Sequence, residues 1–207
     1  MSWRNSVRSW GRVSRAFHWT VAILMIYGAA LAIYIVNQEE GVDENIQRYL
    51  TWIKVHKSVG LTVLILAAFR LWWLHYNPRP RHDLEQSPMS RLLTGWVHRT
   101  FYGLMFLLPV SGFLSSNSVG ATTRFWGLFV VPGIFPAKRD VAELFDWIGV
   151  PVPPFIPEDL SWALVLHRVH LVLGYLTVAL IVLHVCAALW HHFFLRDRIL
   201  RNMLSGH

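Results

Sequence analysis

Three stretches of this chain carry no charge: 23 residues between Arg15 and Glu39, 24 between Arg99 and Arg124, and 27 between Arg168 and Arg196. Each exceeds the roughly 20 residues that a helix needs to cross the hydrocarbon of a bilayer. A fourth stretch, Thr51 to Tyr76, has a helical apolar pattern and carries Lys54, Lys57 and Arg70 near its ends, where long side chains can snorkel to the headgroups. The expected architecture is all-α, a four-helix transmembrane bundle in a single domain over 1–207. Its helices run over about 14–37, 50–76, 91–115 and 160–195, with an outer loop over 116–159. A cleaved leader is a poorer reading of the first stretch. Arg4, Arg8, Arg12 and Arg15 precede it and Ala30-Leu31-Ala32 resembles a processing site, but the apolar run is long enough to span and has His18 near its start.

Composition agrees with a membrane protein. Of the 207 residues 54% are hydrophobic and 15% charged, with a mean hydropathy of +0.39, against about a quarter charged in an average soluble domain. The net charge of +7 would suit nucleic acid only if the basic residues shared one exposed face. The charge-free stretches separate them, so no nucleic-acid partner is expected. The N-terminal arm, the connection from Arg70 to Arg99 and the C-terminal tail hold 12 Lys/Arg and three acids, whereas the other two connections hold seven Lys/Arg and nine acids. The positive-inside rule therefore sets both termini on the inner side, N-in and C-in. The outer loop contains Pro132, Pro136, Pro151, Pro153, Pro154 and Pro157. Its apolar run Phe125 to Pro136 is too short and proline-interrupted to span, and is expected to lie in the interface or cap the bundle.

Eleven histidines in such a chain call for a reason, because an imidazole within a membrane helix is costly without a partner. The single Cys186 and the absence of any Cys-x-x-Cys-His run exclude covalent haem attachment, so a haem here would be of the b type. A porphyrin lies beside the helix that supplies its ligand, and a small residue at i+4 leaves it room. His18 with Ala22, His56 with Gly60, His170 with Gly174 and His184 with Ala188 satisfy this, whereas His75, His98, His167 and His191 face Arg79, Tyr102, Leu171 and Leu195. With the N-terminus inside, the four sort by depth into an inner pair, His18 with His184, and an outer pair, His56 with His170. The 14 residues between His170 and His184 correspond to about 21 Å of helix and leave the side chains only about 40° apart. One helix can thus ligate two stacked haems, with His18, His56, His170 and His184 as axial iron ligands and Gly60 and Gly174 making space. Two imidazoles per iron leave no open position, which suits electron transfer. His98 is expected to pack or support rather than ligate, and His170 is preferred to His167 as the outer ligand.

Lys54, Lys57 and Arg168 cluster by sequence around the outer pair. They can anchor to lipid phosphate or haem propionates, or form an electrostatic funnel for a small anion such as superoxide. His191 and His192 close the fourth helix at the inner interface, as dipole-compatible residues or as a quinone contact.

The runs Phe17-His18-Trp19, His56-Lys57-Ser58-Val59-Gly60 with Phe69-Arg70-Leu71 and Asn77-Pro78, Leu108-Pro109-Val110-Ser111-Gly112, and Leu183-His184-Val185-Cys186-Ala187-Ala188-Leu189-Trp190-His191-His192-Phe193 resemble the bacterial cytochrome b561 family, as do Arg196-Asp197 and Arg201-Asn202-Met203-Leu204. The resemblance covers nearly the whole chain and departs from the shorter members in the long outer loop. It implies a four-helix membrane bundle of the bacterial inner membrane with two haem b groups, and a superoxide:ubiquinone oxidoreductase activity as in the superoxide oxidases of this kind. It also implies a quinone site near His191 and the basic inner connection, with Arg81 as the candidate partner and Arg79 as the alternative. Trp190 stands where the family often has a basic residue. Related haem subunits serve hydrogenases or other respiratory dehydrogenases, so a haem subunit docked to a partner redox protein is the alternative function. A non-redox transporter is a second alternative, and a poor one, because the helices offer few polar midplane residues besides the histidines.

Overall fold

The computed structural model describes residues 2–7, 9–37, 42–78, 80, 88–134 and 161–205. Four long helices dominate: α1 (Arg12–Val36), α2 (Val42–His75), α3 (Pro88–Ser118) and α4 (Ser161–Trp190). A two-stranded antiparallel hairpin, β1 (Thr123–Phe125) and β2 (Phe129–Val131), follows α3. A π-helical turn over His191–Leu195 extends α4, and a short helix α5 (Ile199–Leu204) closes the described chain.

Among the described residues three helical segments are long and apolar enough to cross a membrane: Arg12–Val36, Ile46–His75 and Trp162–Leu195. Few of their residues are buried. Only 6% of the most apolar window of the last is buried within the chain, and Leu164, Val172, Tyr175, Val182 and Leu183 are among its exposed residues. Lipid is the solvent that makes such a surface stable. The 31-residue α3 is long enough as well, but it begins with Arg91, His98 and Arg99 and ends with Ser115, Ser116, Asn117 and Ser118. Its apolar stretch is correspondingly short.

Two compact units each take a segment of all four long helices. One comprises Met1–Ile26, Val63–Met105 and Leu176–His207, and the other Tyr27–Thr62 and Phe106–Tyr175. In the first, Val21, Val63, Ala67, Leu104 and Met105 form the buried apolar centre. Asn5 Oδ1 accepts from Gly11 N at 2.9 Å and from Ser14 Oγ at 2.7 Å, which fixes the N-terminal arm against the start of α1. Arg15 and the Trp19 indole donate to the carbonyls of Leu204 and Met203, each at 2.9 Å, so the two ends of the chain are tied together.

In the second unit the hairpin is fastened to α2. Trp126 (φ 49°) and Gly127 (φ 76°) both adopt left-handed backbone, the turn chemistry that matches the twist of paired strands. The edge of β1 that does not face β2 is met by side chains of α2. Lys57 Nζ donates to Thr122 O at 3.3 Å, the Ser58 hydroxyl donates to Arg124 O at 3.2 Å and accepts from Trp126 N at 3.0 Å, and the Trp126 indole donates to Thr62 Oγ1 at 3.0 Å. Such partners satisfy a strand edge that would otherwise be left open. The run expected to lie in the interface or cap the bundle is in part a regular hairpin. Its continuation beyond Ile134 lies outside the described residues.

Candidate redox site

Helical spacing alone does not bring histidines of different helices together, but packing does. In the first unit His18 on α1 and His184 on α4 approach with ring centroids 6.4 Å apart and planes inclined by 49°. In the second unit His56 on α2 and His170 on α4 lie 6.2 Å apart, with planes at 79°. All four side chains are half-buried.

The second pair is oriented by backbone carbonyls. His56 Nδ1 donates to Gly28 O at 3.1 Å, and His170 Nδ1 donates to Leu108 O at 3.1 Å, sharing its proton with Ser111 Oγ, also at 3.1 Å. A carbonyl can only accept, so Nδ1 carries the proton in both rings and each Nε2 keeps its lone pair for a metal. The Leu108 carbonyl sits just before Pro109, a proline inside α3 that locally loosens the helical ladder, and it also accepts from Ser111 Oγ at 2.8 Å. Gly112 completes the cradle: a Cβ there would come within 2.7 Å of His170 Cε1. A Cβ on Gly60 would meet only Pro109 Cβ, at 3.9 Å, and one on Gly174 would meet nothing within 4 Å.

Around the first pair, His184 contacts Phe101 at 5.3 Å and His98 at 5.7 Å between centroids, while Trp19 stands edge-on to His18 at 5.1 Å. His98 Nδ1 donates to Thr94 O at 2.7 Å. The Nδ1 of His18 is buried and has no hydrogen-bond partner among the described residues. Arg70, expected to snorkel toward headgroups, instead places its guanidinium carbon 5.4 Å from the centroid of the Tyr102 ring and lies within electrostatic reach of both His18 and His184. Its direction is set by an aromatic on another helix, which the sequence of α2 alone does not reveal.

The basic residues near the second pair divide. Lys54 and Arg168 are exposed, whereas Lys57 is half-buried and committed to the hairpin carbonyl of Thr122. His167 is exposed as well. At the far end of α4, Arg196 adopts left-handed backbone after the π turn (φ 54°) and folds the chain back, so that His191 Nδ1 bonds to Asp197 Oδ2. The other oxygen, Oδ1, accepts from Ile199 N, at the start of α5, at 3.1 Å. Trp190 stacks on Phe194 with centroids 4.2 Å apart. Arg81 and Arg79 lie outside the described residues.

The two pairs fit a haem. Metal–imidazole bonds run about 2 Å, so two in line plus the nitrogen-to-centroid distances put axial ring centroids roughly 6 Å apart. Among the described residues no group of three or more His, Cys, Asp or Glu gathers to hold a bare ion. Opposed imidazole pairs suit instead a metal that arrives with its own four equatorial nitrogens.

Residues 9–206 match the family described as prokaryotic cytochrome b561. The chain belongs to that family. Cytochromes b561 are haem-bearing membrane proteins of electron transport. The chain is 29% identical over 209 residues to cytochrome b561 homolog 2 of Escherichia coli (strain K12), covering 99% of this chain and 96% of that one. It is 28% identical over 157 residues to a Yersinia pestis protein named "Probable superoxide oxidase CybB", covering 75% and 77% respectively. The spacing of the paired histidines of α1, α2 and α4 fits haem b. Four residues of the site escaped the sequence reading as functional positions: Gly28, Gly112 and Ser111 around the second pair, and Asp197 behind His191. Ser111, Gly112 and Asp197 fall in runs that resemble the family, and that was their only signal.

Proposed function

We propose that this cytochrome b561 is a four-span, N-in/C-in protein of the bacterial inner membrane that holds two haem b groups, between His18 and His184 and between His56 and His170. It takes electrons from superoxide at the periplasmic side and delivers them to ubiquinone at the cytoplasmic side. The observation that carries the reading is the pair of imidazole separations, 6.4 and 6.2 Å. Contact between the start of α1 and α5 supports placing both termini on one side.

Haem supplies a one-electron relay when bound, and the chain supplies the rest. A haem held by two imidazoles would offer superoxide no free coordination position, so the role left to the chain is to steer the anion. Lys54, Lys57 and Arg168 furnish the positive mouth. Two superoxide anions each lose one electron and leave as dioxygen, while one quinone gains two electrons and two protons. His191, backed by the Asp197 carboxylate, relays those protons from the cytoplasmic side, with Arg81 as the further candidate for quinone contact.

The purified chain, alone in lipid nanodiscs with a ubiquinone analogue, should reduce the quinone when superoxide is generated. If it retains its haems and superoxide fails to reduce them, the donor is a partner dehydrogenase and the chain is a docked haem subunit.

A further inference from the structure

Arg70 stands five residues before the end of a candidate membrane-spanning segment, Ile46–His75, and turns toward Tyr102, within electrostatic reach of His18 and His184. A cation at membrane depth is costly unless an anion or strong acceptor meets it. Among the described residues no acid is placed to do so. Helices α1, α3 and α4 contain no Asp or Glu, and α2 has none after Glu44. Among the described residues of the same unit Asp197 is the sole acid, and both its oxygens are taken by His191 and Ile199. The Tyr102 ring face offsets part of the charge, as cation–π contacts do, but supplies no carboxylate. Guanidinium is the side chain that best grips a planar carboxylate, through two parallel hydrogen bonds.

We propose that Arg70 is a carboxylate-binding position within the bundle that receives a propionate of the haem held by His18 and His184 and, through its charge, raises the reduction potential of that haem. The proposal rests on the haem reading above. It makes Arg70 a selectivity element, since a porphyrin without free carboxylates would lose the contact. It also makes Arg70 a tuning element, because a fixed positive charge favours the reduced, less positive iron.

The test uses the full-length protein, with haem content, redox titration and reconstitution as readouts. Arg70→Gln should lower one of the two midpoint potentials by about 60 mV, the one-electron equivalent of a tenfold change, and leave the other in place. Arg70→Lys should restore at least half of that shift. Reconstituted with haem dimethyl ester, whose propionates are blocked, the wild-type chain should bind about tenfold more weakly at the His18–His184 site than with haem, and Arg70→Gln should show no such preference. Unchanged potentials with full haem content would overturn the proposal, as would equal discrimination against the ester in wild type and Arg70→Gln. Loss of that haem from both Arg70→Gln and Arg70→Lys, with a lower melting temperature of the haem-free chain, would make Arg70 a packing residue and would overturn it too. A wild-type chain that binds no haem would instead contradict the haem reading itself.

Discussion

The imidazole of His170 lies against the backbone of Gly112, so closely that a Cβ on the glycine would fall 2.7 Å from Cε1 and 3.0 Å from Nδ1. The ring cannot withdraw without giving up its bonds to Leu108 O and Ser111 Oγ. Gly112→Ala should therefore destabilise the protein by about 1–3 kcal/mol, the usual cost of overpacking. Gly103→Ala, in the same helix with nothing within 4 Å, should be neutral or stabilising by up to about 1 kcal/mol. Thermal melts of the two variants in one detergent check this, and equal melting temperatures would contradict the close contact.

Gly174 behaves differently, because a Cβ there meets no protein atom within 4 Å. Gly174→Leu should leave the haem-free chain nearly as stable as wild type and lower haem content at the His56–His170 site by more than half. Val172→Leu, at an exposed position of the same helix, is the control and should retain haem. Pyridine haemochrome assays of both variants decide between them, and equal retention would remove the volume argument for Gly174.

Superoxide steering should depend on the exposed cations Lys54 and Arg168. Replacing both with Gln should slow haem reduction by superoxide several-fold and flatten its ionic-strength dependence, while reduction by a neutral donor is unchanged. Lys57 is excluded from this pair because it also holds Thr122 O, so its loss would loosen the hairpin. Stopped-flow reduction across a salt series gives the result, and a salt-independent rate in wild type would contradict steering.

The Asp197 carboxylate behind His191 fixes which ring nitrogen carries the proton. Asp197→Asn should spare haem reduction and slow quinone-dependent reoxidation by about tenfold, within the range for lost support of a functional histidine. Equal reoxidation in wild type and variant would place the quinone away from His191.

Much of this was legible in the sequence because it rests on within-helix arithmetic. The charge-free stretches mark α1 and α4, and the small residue one turn after each histidine singles out four rings that the structure brings into two pairs. What stayed hidden depends on contacts across helices. Gly112 makes room for a histidine of α4 rather than for one on its own helix. Arg70 turns inward because Tyr102 of α3 offers a ring face. The hairpin was invisible to strand periodicity because both strands have only three residues, and its outer edge is satisfied by Lys57 and Ser58, more than 60 positions away in the chain. The hydrogen bond between His191 and Asp197 requires the left-handed backbone of Arg196, which no residue type there announces.

The most direct measurement is haem stoichiometry by pyridine haemochrome, with reduced-minus-oxidised spectra of wild type and single histidine variants. Wild type should hold two haem b per chain. His184→Ala and His170→Ala should each hold one, with different remaining potentials, and His167→Ala should hold two. A single haem or none in wild type, or two haems retained in either His184→Ala or His170→Ala, would contradict the assignment of these histidines as paired axial ligands.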